Sequence, residues 1–133
     1  MKLEIIILAA GQGKRMHSRL PKVLHDLGGR PLLAHALAAA EVLHPAAIHV
    51  VYGHGGESVR AAFPAARVRW VHQAEQHGTG HAVRLALAGV DPAALVLVLY
   101  GDVPLITTAT LRALAGLAGP DRIALLTAEL EQP

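Results

Sequence analysis

Residues 3–25 read LEIIILAAGQGKRMHSRLPKVLH, and this stretch decides the fold. Its first part, residues 3–9, is near-continuous Ile and Leu without polar alternation, the pattern of a strand covered on both faces. A small-residue turn, Ala9-Ala10-Gly11, follows, and then four cations within nine residues: Lys14, Arg15, Arg19 and Lys22. Gly11 and Gly13 lack a Cβ, so backbone N–H groups there can approach an anion closely. No acidic residue competes for these cations before Asp26. A strand leading into a glycine-rich basic loop suits polyphosphate. The alternative is a generic strand-to-helix turn with solvated cations. The loop lacks the spacing of a P-loop, and Met16 stands where a dinucleotide fingerprint needs its third glycine.

Downstream, short apolar runs alternate with helical patterns. Residues 31–43 (PLLAHALAAAEVL) predict a helix with proline in its first turn, and residues 47–52 a second strand followed by Gly53, Gly55 and Gly56. A short helix over 57–63 stops at Pro64, a third strand covers 68–72, and a helix over 79–87 opens at Gly78-Thr79-Gly80. Residues 95–100 are a strongly apolar fourth strand. Residues 108–117 read as a helix with Thr107 as N-cap, and 123–127 as a fifth strand. This βα alternation predicts an α/β fold, a Rossmann-like parallel-rich sheet with helices on both faces. Ligands of such sheets bind beyond the carboxyl ends of the strands. That is where the unusual segments fall: 11–22, 53–56, 73–79 and 101–104.

The 133 residues suit one domain. Apolar residues make up 53% but aromatics only 3%, so the core is aliphatic. Charged residues are 17%, and this order-favouring balance leaves a net charge of only +2. That charge and the scarcity of stacking rings exclude a general nucleic-acid binder. The absence of cysteine excludes disulfides and thiolate metal sites. With no signal-peptide layout and an apolar run too short to span a bilayer, the expected location is cytoplasmic, without membrane contact. The nine histidines are scattered, and only His77 and His81 form an HxxxH pair, one that straddles Gly78 and Gly80. They make a poor metal site.

Two further motifs carry chemistry. Tyr100-Gly101-Asp102-Val103-Pro104 ends the fourth strand and holds one carboxylate at its tip. Mg²⁺ is commonly held by one or two carboxylates plus phosphate oxygens, which suits Asp102; the alternative is an Asp in an ordinary turn before proline. Gln73, with the Gly78-Thr79-Gly80-His81 turn, ends the third strand and starts a helix. A neutral amide can donate and accept toward a base edge; the alternative is plain capping by Thr79.

Together these segments resemble the N-terminal uridyltransferase domain of the bifunctional N-acetylglucosamine-1-phosphate uridyltransferase/glucosamine-1-phosphate acetyltransferase family. The matching stretches are ILAAGQGKRMHSRLPKVLH, VYGHGG, QAEQHGTGHAV and LYGDVPLI, in the family's order and spacing. The first is shared across sugar-phosphate nucleotidyltransferases, whereas GTGHAV and YGDVPL belong to the N-acetylglucosamine branch.

The resemblance implies a nucleotide-diphospho-sugar transferase fold, UTP and N-acetylglucosamine-1-phosphate as substrates, and Mg²⁺ as cofactor. Leu8, Ala9, Ala10 and Gly11 would contact the nucleotide. Arg15 would neutralise departing pyrophosphate, and Lys22 would grip the reacting phosphates. Gln73 would read uracil, Gly78 and Thr79 would complete the uridine pocket, Tyr100 and Gly101 would line the nucleotide-sugar site, and Asp102 would hold the metal. The product would feed cell-envelope precursors, peptidoglycan and lipopolysaccharide. Lys14 departs from the family, which most often has threonine there.

By the same resemblance, residues 1–133 are the N-terminal part of the nucleotidyltransferase domain. Further sugar-contacting residues and an asparagine completing metal coordination would lie beyond Pro133, as would the β-helix acetyltransferase domain that makes the family trimeric. A non-catalytic fragment that only binds uridine nucleotides is the alternative. A dinucleotide-binding Rossmann domain is disfavoured by the missing glycine and by the lack of an acidic residue at the second strand's end.

Overall fold

A computed structural model describes residues 2–10, 20–53, 55–75, 77–103 and 106–119. The expected fifth strand at 123–127 lies outside these. The main sheet holds β1 (Leu3–Leu8), β4 (Ala47–Gly53), β5 (Arg69–Gln73) and β6 (Leu95–Tyr100). A separate hairpin is made of β2 (Asp26–Leu27) and β3 (Arg30–Pro31). The sheet runs in the order β5-β4-β1-β6, and every pairing in it is parallel. Chain order therefore reverses beside β1: the second and third strands of the sheet build outward on one side, and the fourth returns to the other. Such a reversal leaves a crevice at the carboxyl ends, because the connections leaving β1 and its returning neighbour diverge to opposite faces.

The helices take both faces. α1 (Leu32–Val42), α2 (Glu57–Ala61) and α4 (Thr108–Leu117) pack on the face carrying Ile5, Ile7, Val50, Leu97 and Leu99, through Leu33, Ala36, Leu37, Ala40, Val59 and Leu111. α3 (Thr79–Leu87) covers the other face, where Ala82 and Ala86 meet Ile6, Leu8 and Val51. Ile5, Ile6 and Ile7 are completely buried, which explains the unbroken apolar run: a central parallel strand has no solvent face. Burying each such side chain contributes about 1.5–3 kcal/mol. On the α3 side of β6, Val98 and Tyr100 are exposed.

Element boundaries shift slightly from expectation. α1 begins at Leu32 because Pro31 is extended and pairs with Asp26 across the hairpin. α2 ends at Ala61, its last turn loosening through Phe63 onto Arg60 ahead of Pro64. β5 lies one residue later than expected and therefore includes Gln73. Thr107 does cap α4, accepting the Thr110 N–H at 3.2 Å. α3 is capped differently from the reading that gave Thr79 this task. Gly78 is the N-cap, at φ +92°, with no side-chain cap, and Thr79 is the first helical residue.

The hairpin was not expected. Gly28 and Gly29 both have positive φ, as a two-residue type I′ turn requires. The hairpin is tied to α1 by His35 Nε2 donating to the Leu27 carbonyl (2.7 Å) and by Arg30 donating to the Ala34 carbonyl (3.1 Å).

At the far end of the sheet, β1 and β4 share a buried polar pair. His49 Nε2 donates to Glu4 Oε1 at 2.8 Å, and the Asp91 N–H donates to Glu4 Oε2 at 2.8 Å. These bonds hold the Glu4 carboxyl below the usual carboxylate range, the His49 bond contributing most, against the opposing effect of burial.

Candidate active site at the carboxyl ends of the strands

The ends of β1 and β6 are joined directly. Leu8 pairs in register with Tyr100, and the Gly101 N–H donates to the Leu8 carbonyl at 2.9 Å, carrying the ladder past the strand. Ala9 is held on the other side by its N–H to the Val51 carbonyl, 2.8 Å. Leu8 and Ala9 are thus buried and fixed from both neighbouring strands, and Ala10 is half-buried where the chain enters the glycine loop. Gly101 is buried for a steric reason. A Cβ there would sit 3.2 Å from the Leu8 carbonyl oxygen, 3.2 Å from Val23 Cγ1 and 3.3 Å from Leu33 Cδ1.

A 3₁₀ turn, Lys22–Leu24, returns the chain to this point. Pro21 enters it extended, the Leu24 N–H closes onto the Pro21 carbonyl at 2.9 Å, and Val23 is buried in the α1-side core. With Val23 anchored, Lys22 is left to face the strand tips. Its Nζ lies 3.1 Å from Asp102 Oδ2, just past the end of β6. Both side chains are partly exposed, so this ion pair adds little to stability. Its value is positional: a cation and a carboxylate from distant segments share one small volume.

Gln73 ends β5 on the α3 side and is 3% exposed. Its amide nitrogen donates to the Gly78 carbonyl at 3.2 Å and to His81 Nδ1 at 3.0 Å. The expectation that this amide could both donate and accept is therefore narrowed, because both amide hydrogens are committed and Oε1 alone remains. His81 in turn lies edge-on to His77, with ring centroids 5.0 Å apart, and His77 bonds Glu75 at 2.7 Å. The two histidines thus have separate partners, and among the described residues no group of three or more His, Asp or Glu converges as a metal site. Thr79 is exposed at the start of α3, and Tyr100 is 50% exposed at the end of β6.

Of the residues singled out from the sequence, Leu8, Ala9, Ala10, Lys22, Tyr100, Gly101 and Asp102 gather where β1 and β6 end. Gln73, Gly78 and Thr79 gather at the end of β5. Three interstrand spacings, about 14 Å, separate β5 from β6, a span on the scale of an extended nucleoside triphosphate. Gly11 and Arg15 lie outside the described residues.

The MobA-like NTP transferase domain matches residues 5–133. The chain belongs to that family. Among curated proteins, GlmU of Legionella pneumophila (strain Corby), a bifunctional protein, is 56% identical over 138 aligned residues; the match takes in all of this chain and 30% of that protein, in its N-terminal region. GlmU of Stenotrophomonas maltophilia is 61% identical over 132 residues, 98% of this chain and 29% of that protein. The chain thus spans about three-tenths of the length of these relatives. Among solved structures, Rv0371c of Mycobacterium tuberculosis H37Rv superposes with a TM-score of 0.78 at 26% identity, over 88% of this chain and 60% of that one. A nucleotidyl transferase from Methanothermobacter (Mth528) also reaches 0.78, at 23% identity, over 86% of this chain and 57% of that one, and shares the fold. Rv0371c has also been solved in complex with manganese; that structure superposes at 0.73 with 26% identity, over 88% of this chain and 59% of that one. The doubly wound sheet is thus the NTP-transferase framework, and its switch point is the place where the family members' common architecture leaves a crevice.

Proposed function

We propose that the chain carries the nucleotide-facing part of a uridylyltransferase that joins UTP and N-acetylglucosamine-1-phosphate into UDP-N-acetylglucosamine and pyrophosphate. The observation that carries this reading is the 3.1 Å contact between Lys22 and Asp102 at the β1/β6 crevice. Whole-chain identity of 56–61% to GlmU supports it. In this reaction a phosphate oxygen of the sugar phosphate attacks the α-phosphorus of UTP, the bond from that phosphorus to the bridging oxygen breaks, and pyrophosphate leaves. The nucleophile is already an anion, so the protein need not supply a general base. Its task is to bring two anions together and to offset charge on the leaving group.

The residues divide that task. The fixed backbone of Leu8, Ala9 and Ala10, continuing into Gly11, receives the nucleotide. Lys22 accepts the reacting phosphates and Arg15 the pyrophosphate. Gly101 lets the β6 turn lie against Leu8, and Tyr100 flanks the sugar side. Gln73, Gly78 and Thr79 face the uridine.

Asp102 fits a Mg²⁺ ion held mainly by substrate oxygens: it is a partly exposed carboxylate, and no group of three or more His, Asp or Glu gathers as a metal site among the described residues. Such an ion, when bound, screens the triphosphate charge. Asp102 alone is not a metal cage, and the resemblance assigns a further ligand to an asparagine outside residues 1–133. The same reading places the protein in the cytoplasm, in cell-envelope precursor synthesis, with residues 1–133 as the first part of the domain and trimer contacts made elsewhere. No helix among the described residues is long and apolar enough to cross a membrane.

The test is pyrophosphate release by the full-length protein from UTP, Mg²⁺ and N-acetylglucosamine-1-phosphate. Release that requires both the sugar phosphate and UTP is expected. Equal release with other sugar phosphates, or none with this one, contradicts the reading.

A further inference from the structure

We infer that His81 is a positioning residue for base selection: by accepting a hydrogen bond from Gln73, it holds the Gln73 amide in the orientation that the Gly78 carbonyl sets, so that the site presents an acceptor to the N3–H of uracil. This rests on the reading above, in which Gln73 faces the base.

A glutamine amide has two nearly isosteric orientations, one presenting NH₂ and the other C=O. A base edge distinguishes them sharply, since uracil carries a donor at N3 and cytosine an acceptor. In this structure the Gly78 carbonyl, an acceptor only, makes the choice, and His81 Nδ1 supports it. The Gly78 carbonyl takes one amide hydrogen at 3.2 Å and His81 Nδ1 takes the other at 3.0 Å. Turning the amide over would set Oε1 against the Gly78 carbonyl oxygen, which has no hydrogen to offer, and would require the His81 ring to move its proton to Nδ1. Gln73 is almost fully buried, so water cannot readily repair that loss. Oε1 is the one amide atom that these bonds do not use. No buried side-chain nitrogen or oxygen among the described residues lacks a partner, so Oε1 is not completely sealed off at the end of β5.

With the amide in this orientation His81 Nδ1 accepts, which goes with the proton on Nε2. Its ring is seated edge-on against His77, which Glu75 holds at 2.7 Å. Gly78 contributes through its conformation. At φ +92° its carbonyl is delivered to Gln73 while the chain turns into α3, a geometry that side-chain-bearing residues rarely adopt. A site built around a required substrate N–H rejects bases that lack it, because its buried acceptor is then left unpaired.

The experiment compares kcat/KM for UTP and CTP in the full-length protein, with 3-methyl-UTP as a probe lacking the N3 donor. His81→Ala is expected to lower the UTP-to-CTP ratio roughly three- to tenfold, the scale of one positioned hydrogen bond, with the loss appearing mainly in KM. His81→Asn, whose Oδ1 can stand where Nδ1 stood, is expected to restore the ratio. Should His81→Ala fail to fold, His81→Phe keeps a ring against His77 while removing the nitrogen, and the same fall is expected. An unchanged ratio in the Ala or Phe variant, or an Asn variant as impaired as Ala, overturns the inference. Gln73→Ala separates this from the underlying reading. If it leaves both the ratio and the response to 3-methyl-UTP unchanged, Gln73 does not face the base at all. If it collapses the ratio while His81→Ala does not, only the role of His81 is lost.

Discussion

Lys22 Nζ and Asp102 Oδ2 lie 3.1 Å apart although eighty residues of chain separate them. The contact exists because Val23 is buried beside Gly101, so the turn carrying Lys22 and the turn carrying Asp102 stand on one small patch of core. On the proposed function each would exchange its partner, Lys22 for a phosphate and Asp102 for a metal ion. Substituting either with Ala is expected to lower kcat for pyrophosphate release by about 10²–10³, the usual cost of removing a preorganised electrostatic group. Because the two touch, the double substitution should cost clearly less than the product of the singles. Steady-state kinetics of the four proteins checks this.

Gly101→Ala tests the packing beneath that pair. The new methyl group meets backbone oxygen on one side and two core side chains on the other, all at 3.2–3.3 Å. A cost of about 1–3 kcal/mol is expected from overpacking, together with lost turnover because the Leu8 end of β1 is displaced. Denaturant midpoints and kinetics report the two effects separately.

Glu4 and His49 make a claim about stability alone, since they lie at the amino ends of the strands, away from the crevice. Glu4→Ala leaves the buried His49 ring and the Asp91 N–H without their acceptor and should cost about 1–3 kcal/mol for each buried donor left unpaired. The pH dependence has a definite sign. The Glu4 carboxyl is lowered from 4.5 in the folded chain, so its stabilisation is present above that value and is lost as pH falls through the lower, folded one. The wild-type unfolding midpoint should therefore fall in acid more steeply than that of Glu4→Gln.

Gly78→Ala imposes a side chain at φ +92° and should cost about 1–3 kcal/mol in strain. The space beside it is open, so any loss comes from the backbone and not from a clash. A raised KM for UTP should accompany it, as the Gly78 carbonyl that holds Gln73 is displaced.

The alternation of apolar runs and helical patterns was enough to read the parallel sheet, its two-sided cover and the crowding of unusual residues at one end, because buried parallel strands leave no polar positions to confuse the pattern. Ile5, Ile6 and Ile7 announce a central strand by composition alone. The β2–β3 hairpin escaped because its strands are two residues long, too short for any period, although Gly28-Gly29 was the signal for its turn. That Lys22 and Asp102 share the strand tips was legible, but their direct contact was not, and the pair Glu4–His49 was not legible at all. Their partners meet only through strand register and the packing of Val23, and register is not written in either residue's neighbourhood. Gln73 was legible as a candidate but its orientation was not, because the commitment of its amide depends on β5 ending one residue later and on Gly78 turning its carbonyl inward.

The most direct measurement is a crystal structure of the full-length protein with Mg²⁺ and UTP. The triphosphate is expected in the crevice between the ends of β1 and β6, with Lys22 turned from Asp102 onto a phosphate oxygen, Asp102 on the metal, and the uracil beside Gln73 Oε1. A nucleotide bound elsewhere, with Lys22 and Asp102 still paired at 3.1 Å, would contradict that expectation.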